Sequence, residues 1–364
     1  MNFYMLLQGI IELFLSLTSA AFIFFMSFKV FSLVTRDINE LQELQKNNIA
    51  VAILGASFLF GIMFLVKSSI SPAMDTLNFA LQSNGFSFSL IFFAIIRIFF
   101  MYIIAAVFSF LILWLSVKLF LILTTEIDEM HEMKNNNVAV SIVIATFISS
   151  IALLLSHPLT TLLSGLVIAP VILEAGLQEH LINTPVFLQG VIELGLSLIG
   201  GVSVFFISFR VLNILTKNID EIAELKKNNI AVAILSSSFI LSIMILVKST
   251  LIPANDLLGF TLNGVDNGYG DIFFAILRIV LFLLLASVIG FIIIWFAMRT
   301  FFVLTKGIDE LKEIKSNNIA IALIVAVLVL SASLLIEHGI TTLLNGLVKS
   351  PDIGRGLMDI SDIK

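Results

Sequence analysis

The sequence predicts an all-α, polytopic membrane protein of eight transmembrane helices, built from four parallel two-helix repeats with pseudo-twofold A–B–A′–B′ symmetry. Three observations predict it. Of 364 residues, 59% are hydrophobic and only 12% charged, against roughly 45–50% apolar and about 25% charged in a soluble domain. Continuous apolar runs of about 20 residues recur, long enough to cross a hydrocarbon core as helix; a helix also satisfies its own backbone in lipid. Finally, one charged word occurs four times.

That word is "ELQKNNIAVAIL", from Glu43 to Leu54. It reappears as "EMKNNNVAVSIV" from Glu132, "ELKKNNIAVAIL" from Glu224 and "EIKSNNIAIALI" from Glu313, at offsets of 89, 181 and 270. A fixed offset is the mark of an internal repeat. The register reaches beyond the word: Gln8, Arg97, Gln189 and Arg278 align, as do Lys29, Lys118, Arg210 and Arg299. Trp114 and Trp295 stand 181 apart. The chain therefore divides into a four-span unit over 1–181 (copies 1–88 and 89–181), a second over 182–348 (copies 182–270 and 271–348), and a polar tail over 349–364.

Each copy holds two apolar segments, with expected limits 5–34, 49–70, 89–123, 138–168, 187–215, 230–252, 272–304 and 319–347. The first of each pair runs about 30 residues, roughly 45 Å of helix. It must tilt or project beyond the bilayer. The segment after Met1 lacks a basic region and a small-residue cleavage site, so a retained span is expected there rather than a signal peptide. Two spans per copy give every copy one orientation, unlike inverted repeats.

Lysine and arginine set the direction. Thirteen lie on the side of the repeated word, and only Lys349, Arg355 and Lys364 lie clearly outside a span on the other. The positive-inside rule then places the word in the cytoplasm and both termini outside, in a plasma (inner) membrane.

Within the word, Ile38, Leu41 and Leu44 make an apolar stripe on a short amphipathic helix. Asp37–Glu40, Glu126–Glu129, Asn218–Glu221 and Gly307–Glu310 have capping-box spacing. Glu40, Glu43 and Asn47 are expected on one face. In the Asn pairs (Asn47–Asn48, Asn136–Asn137, Asn228–Asn229, Asn317–Asn318) the first closes the short helix in left-handed conformation and the second opens the span. Ala52/Ala56, Ser141/Ala145, Ala233/Ser237 and Ala322/Ala326 then give each span a small-residue face for close packing in lipid. Glu40, Glu43, Glu129, Glu132, Glu221, Glu224, Glu310 and Glu313 carry two readings. They are solvated, helix-starting charges, or a carboxylate ring at a cytoplasmic mouth that concentrates cations.

Ionisable groups inside spans are costly. The A copies carry Glu12 and Glu193, with Lys67, Asp75, Lys248 and Asp256 at or beyond the outer ends of second spans. The B copies carry Arg97, Arg278, Glu337, His157 and His338. Glu12 and Arg97 sit about one helical turn apart in depth, as do Glu193 and Arg278. One reading is a structural ion-pair network holding A against B. The other is a proton or cation path through Glu12 and Glu193, with the two histidines as titratable neighbours. Pro72, Pro158 and Pro253 are expected to end or kink their spans.

Cysteine is absent and four histidines never fall in a His-x-x-x-His spacing, so no thiolate chemistry, metal site or other cofactor is expected. No Gly-rich phosphate loop or nucleophile elbow appears, which argues against an enzyme. A net charge of −5 gives no reason to expect nucleic acid. The expected partners are the lipid bilayer, a monovalent cation or proton, and a second copy in a homo-oligomer. The competing reading is a non-transporting or stress-related scaffold that recruits partners through its cytoplasmic helices.

An acidic segment, an Asn pair and an Ala-rich span entry resemble the YjfL-like bacterial inner-membrane family, a domain of unknown function. The family's signature runs close to "E-x-x-x-G-N-x-A-x-A", matched here by Glu43 through Asn48, Ala50 and Ala52. Asn47, Asn136, Asn228 and Asn317 replace its glycine, a mild change because Asn also tolerates the left-handed region. The resemblance covers the chain as a tandem of two four-span units and implies an integral membrane fold.

Overall fold

The computed structural model describes all residues except 1–2, 36–37, 69, 71–73, 75–76, 78–87, 167–181, 217–218, 264–268, 306 and 348–364. Asp75, Pro72 and the tail thus lie outside the described residues, as do the capping residues Asp37 and Asn218. The described residues form twelve helices and no strand: α1 (Phe3–Val34), α2 (Glu40–Gln45), α3 (Ile49–Ser68), α4 (Phe88–Leu123), α5 (Glu129–Lys134), α6 (Val138–Leu166), α7 (Thr184–Leu215), α8 (Glu221–Lys226), α9 (Ile230–Asn263), α10 (Tyr269–Leu304), α11 (Glu310–Lys315) and α12 (Ile319–Leu347). Eight of them are long and apolar enough to cross a membrane. The first helix of each copy has 32 or 36 residues, about 48–54 Å. The excess over the lipid core is real.

The short helices α2, α5, α8 and α11 are each one and a half turns long and survive by their ends. Asn39, Asp128, Asp220 and Asp309 are the N-caps, accepting from the N–H groups of Gln42, His131, Ala223 and Lys312. This corrects the capping-box expectation. The cap is the residue directly before each glutamate, so Glu40 and its counterparts enter the first turn as N1 rather than reaching back as N3. At the other end Asn47, Asn136, Asn228 and Asn317 take φ of 59–63°. The N–H of Asn48 reaches the Glu43 carbonyl and that of Asn47 the Leu44 carbonyl, both at 3.0 Å, and the pattern recurs in every copy. These are Schellman closures. Asn48 Oδ1 then accepts from Val51 N at 3.1 Å, opening α3, with equivalents at Val140, Val232 and Ile321. The expected division of labour within each Asn pair holds.

Second spans form a row: α3 packs on α6, α6 on α9, and α9 on α12. First spans flank it, α1 on α3, α4 on α3 and α6, α7 on α6 and α9, and α10 on α9 and α12. The middle is the core: α9 and α6 are the most enclosed spans and α1 the least. Glycine lets α6 and α7 touch. A Cβ on Gly190 would stand 2.4 Å from the Leu162 backbone, and one on Gly165 2.4 Å from Phe187 N. The small-residue faces are buried at Ser141, Ala233, Ser237, Ala322 and Ala326, whereas Ala56 is exposed.

Neither Pro158 nor Pro253 ends its helix. Pro158 lies inside α6 and Pro253 inside α9, which runs ten residues past it to Asn263. Pro253 deprives the Ser249 carbonyl of its helical partner. The Thr341 hydroxyl of α12, which donates to the Glu337 carbonyl of its own helix at 2.9 Å, lies 3.4 Å from the Ser249 carbonyl, the kind of polar neighbour that makes proline tolerable in a lipid-embedded helix.

Candidate functional site

Two polar systems stand out, one at the charged end and one inside the spans. At the charged end, Thr35, Thr124, Thr216 and Thr305 donate to the carboxylates of Glu40, Glu129, Glu221 and Glu310. All four glutamates are buried. Burial pushes Glu129 and Glu221 above the usual carboxylate range. The second glutamates turn to the second Asn: Asn48, Asn137, Asn229 and Asn318 donate to Glu43, Glu132, Glu224 and Glu313 at 2.7–3.0 Å. Lys46 and Lys227 pair with Glu43 and Glu224 at 2.7 and 2.8 Å. Those hydrogen-bonded lysines, followed by the Asn amides, hold both carboxyls below the usual range. The expected shared face of Glu40, Glu43 and Asn47 is therefore split. Glu40 faces Thr35 and Glu43 faces Asn48, while the first Asn of the later pairs faces the preceding copy.

The same asparagines stitch the copies together. Asn48 Nδ2 donates to the Met133 carbonyl at 3.0 Å, Asn137 to Leu225 at 2.9 Å, and Asn229 to Lys315 at 2.9 Å. In return Asn136, Asn228 and Asn317 Oδ1 accept from Ala50, Ala139 and Ala231 N at 3.0–3.1 Å. The second Asn caps its own span and the first caps its neighbour's. The eight glutamates thus brace the segments that form the copy joints, which run from one to two, two to three and three to four. A cavity of ≈ 200 Å³ opens beside the middle joint, lined by Phe120, Phe205, Phe206, Glu126, Glu129 and Arg210 among others.

Inside the spans, Glu193 on α7 is wholly buried at 0% exposure. Its Oε1 accepts from Gln189 Nε2 at 2.7 Å, and Gln189 also reaches the Asn255 carbonyl on α9 at 3.4 Å. The Thr161 hydroxyl on α6 lies nearby and donates to the His157 carbonyl at 3.3 Å. The absence of a side chain on Gly259 makes room for the Gln189 amide, which lies 2.8 Å from where a Cβ would stand. Glu193 Oε2 and both polar side-chain atoms of Asn255 are buried with no hydrogen-bond partner among the described residues. The expected Glu193–Arg278 pair does not form: Glu193 is sealed between α6, α7 and α9, whereas Arg278 is exposed.

Around Glu193 the structure gathers part of the predicted network. Asp256 lies within electrostatic reach of Glu193 and His157. Lys248 reaches His157 and Glu337 in the same sense, and its ammonium sits 5.7 Å from the Phe64 ring centroid. Lys67 and His338 are exposed, while Glu12 and Arg97 are half-buried. Among the described residues no three His, Asp or Glu side chains converge as metal ligands do.

Sequence reasoning missed Asn255 and the four threonines. The threonines recur at the offsets that revealed the repeat. Asn255 was hidden because it follows Pro253, where the span was expected to stop.

A family model described as Domain of Unknown Function (DUF350) matches residues 5–104 and 186–340. The second segment begins 181 residues after the first, the offset that separates the two halves. No curated protein and no solved structure matches the chain.

Proposed function

The chain belongs to the DUF350 family, and we propose that it translocates a proton or small monovalent cation through its helical bundle, with Glu193 as the carrier carboxylate. One observation carries this reading. Glu193 is fully buried in a span, with one oxygen unmatched and Arg278 turned elsewhere. A charged carboxylate so deeply buried with one oxygen unmatched is costly. A proton or bound cation resolves the cost, and Asn255 offers a neutral oxygen on the adjoining helix. Asp256, His157 and Lys248 supply titratable neighbours toward one end. In this reading the chain performs no chemical conversion and is a tandem relative of YjfL-like inner-membrane proteins. Its two four-span units are 1–181 and 182–348, with the Thr–Glu–Asn joints cytoplasmic and both termini outside.

Reconstitution into liposomes with a pH-sensitive or cation-sensitive dye tests it. Flux in the wild type, abolished by Glu193→Gln with folding intact, is the expected result. No flux under any gradient or potential contradicts the proposal and favours the scaffold reading.

A further inference from the structure

Every joint between neighbouring copies has a donor side and an acceptor side. The donors are the second Asn amide and the N–H two residues on, as at Asn48 and Ala50. The acceptors are the next copy's first Asn Oδ1 and the carbonyls preceding it, as at Asn136 and Met133. Three joints use three donor sides and three acceptor sides. One of each is left over, at opposite ends of the row.

Copy four holds the spare donor side. Asn318 keeps its internal bond to Glu313 at 2.9 Å, but Ala320 is exposed, where Ala50, Ala139 and Ala231 are fully buried. Copy one holds the spare acceptor side. Asn47 is left-handed like its counterparts, and Leu44 is 40% exposed where Met133, Leu225 and Ile314 are at most 2%. The mismatch continues along the spans. Leu335 on α12 is 82% exposed while Leu65, Leu154 and Leu246 are at most 2%.

Apolar exposure alone decides nothing, because lipid covers such a face as well as protein does. The polar groups decide. A directional set of donors at one end faces a matching set of acceptors at the other, and every copy lies parallel to the rest. We propose that protomers associate head to tail through this same joint, Asn318 and Ala320 of one seating on Asn47 and the Leu44 carbonyl of the next. The interface is heterologous, so it closes a ring if its rotation permits and otherwise extends a row.

The chain has no cysteine, so introduced thiols stand alone. Leu44→Cys with Ala320→Cys, treated in native membranes with a short bismaleimide, is expected to give a ladder of covalent multimers. Co-expressed single variants should stop at the dimer, and each alone should stay monomeric. Ala50→Cys with Met133→Cys spans an internal joint and reports whether the reagent reaches. Monomer from the 44/320 pair, while that internal pair bridges, overturns the proposal. A bridge confined within one chain overturns it too, as does dimer from either single variant alone. Ala320→Trp adds a second readout, since the position is exposed in the protomer. It should lower the multimer fraction in vesicles tenfold or more, by photobleaching steps, with unfolding of the protomer unmoved. Unchanged assembly counts against the joint.

Discussion

Glu12 and Glu193 occupy the same position in two copies, yet they live in different solvents. Glu12 lies half-buried on α1, at the end of the row, where that helix packs on α3 and α4. Glu193 is enclosed on α7, in the middle, where the helix packs on α6, α9 and α10. Their surroundings diverged accordingly: Met74 stands where the second half has Asn255. A Cβ added to Gly9 would meet nothing within 4 Å, whereas one on its counterpart Gly190 would meet the Leu162 backbone. Place in the row, more than identity of residue, turns a tolerated acid into a sealed site.

Breaking the enclosure has the largest effect. Gly190→Ala forces α6 and α7 apart, an overpacking cost of about 1–3 kcal/mol or more, read as a lowered thermal midpoint in detergent. Gly9→Ala should leave that midpoint in place. Equal shifts in the two variants would remove the distinction between the sites.

Asn255→Met installs the residue found in the first half. Losing a dipole that faces a charge or its bound cation is expected to slow flux about tenfold, equivalent to about 1.4 kcal/mol. Stability should hold or rise, because two buried unmatched polar atoms are removed. Unchanged flux excludes Asn255 from the path.

Joints at the charged end sharpen the comparison from the other direction, since they repeat where the spans diverge. Asn137→Ala removes the amide that Glu132 and the Leu225 carbonyl of the next copy share, a loss of about 1–3 kcal/mol. Asn318→Ala should cost the protomer less, because no joint within the chain uses its outward side. Chemical unfolding of the two variants side by side checks the order.

The smallest effect is in pH. Glu129 and Glu221 are raised by burial, so each favours folding at acid pH and loses that contribution as pH climbs from its ordinary value through the folded one. Glu129→Gln should therefore gain on the wild type as pH rises, then level off. Glu224, lowered chiefly by Lys227, contributes at neutral pH and loses it as pH falls below the ordinary carboxylate range. Unfolding midpoints from about pH 2.5 to pH 8 separate the two signs.

Much of this architecture is legible in the residues. The apolar runs, the fourfold word and the left-handed Asn follow from length, offset and local backbone preference. Three things are not local. Asn136 capping Ala50 depends on two copies lying side by side, which offset alone does not dictate. Glu193 standing apart from Arg278 depends on which helix faces outward. Helix α9 continuing past Pro253 depends on its packing between α6, α7, α10 and α12. Each is a tertiary partner overruling a local rule.

The most direct test compares Glu193→Gln and Glu12→Gln in one liposome flux assay with matched protein content. Flux lost at 193 and largely retained at 12 is the predicted result. Equal loss at both positions, or flux retained at 193, contradicts a carrier role set by enclosure.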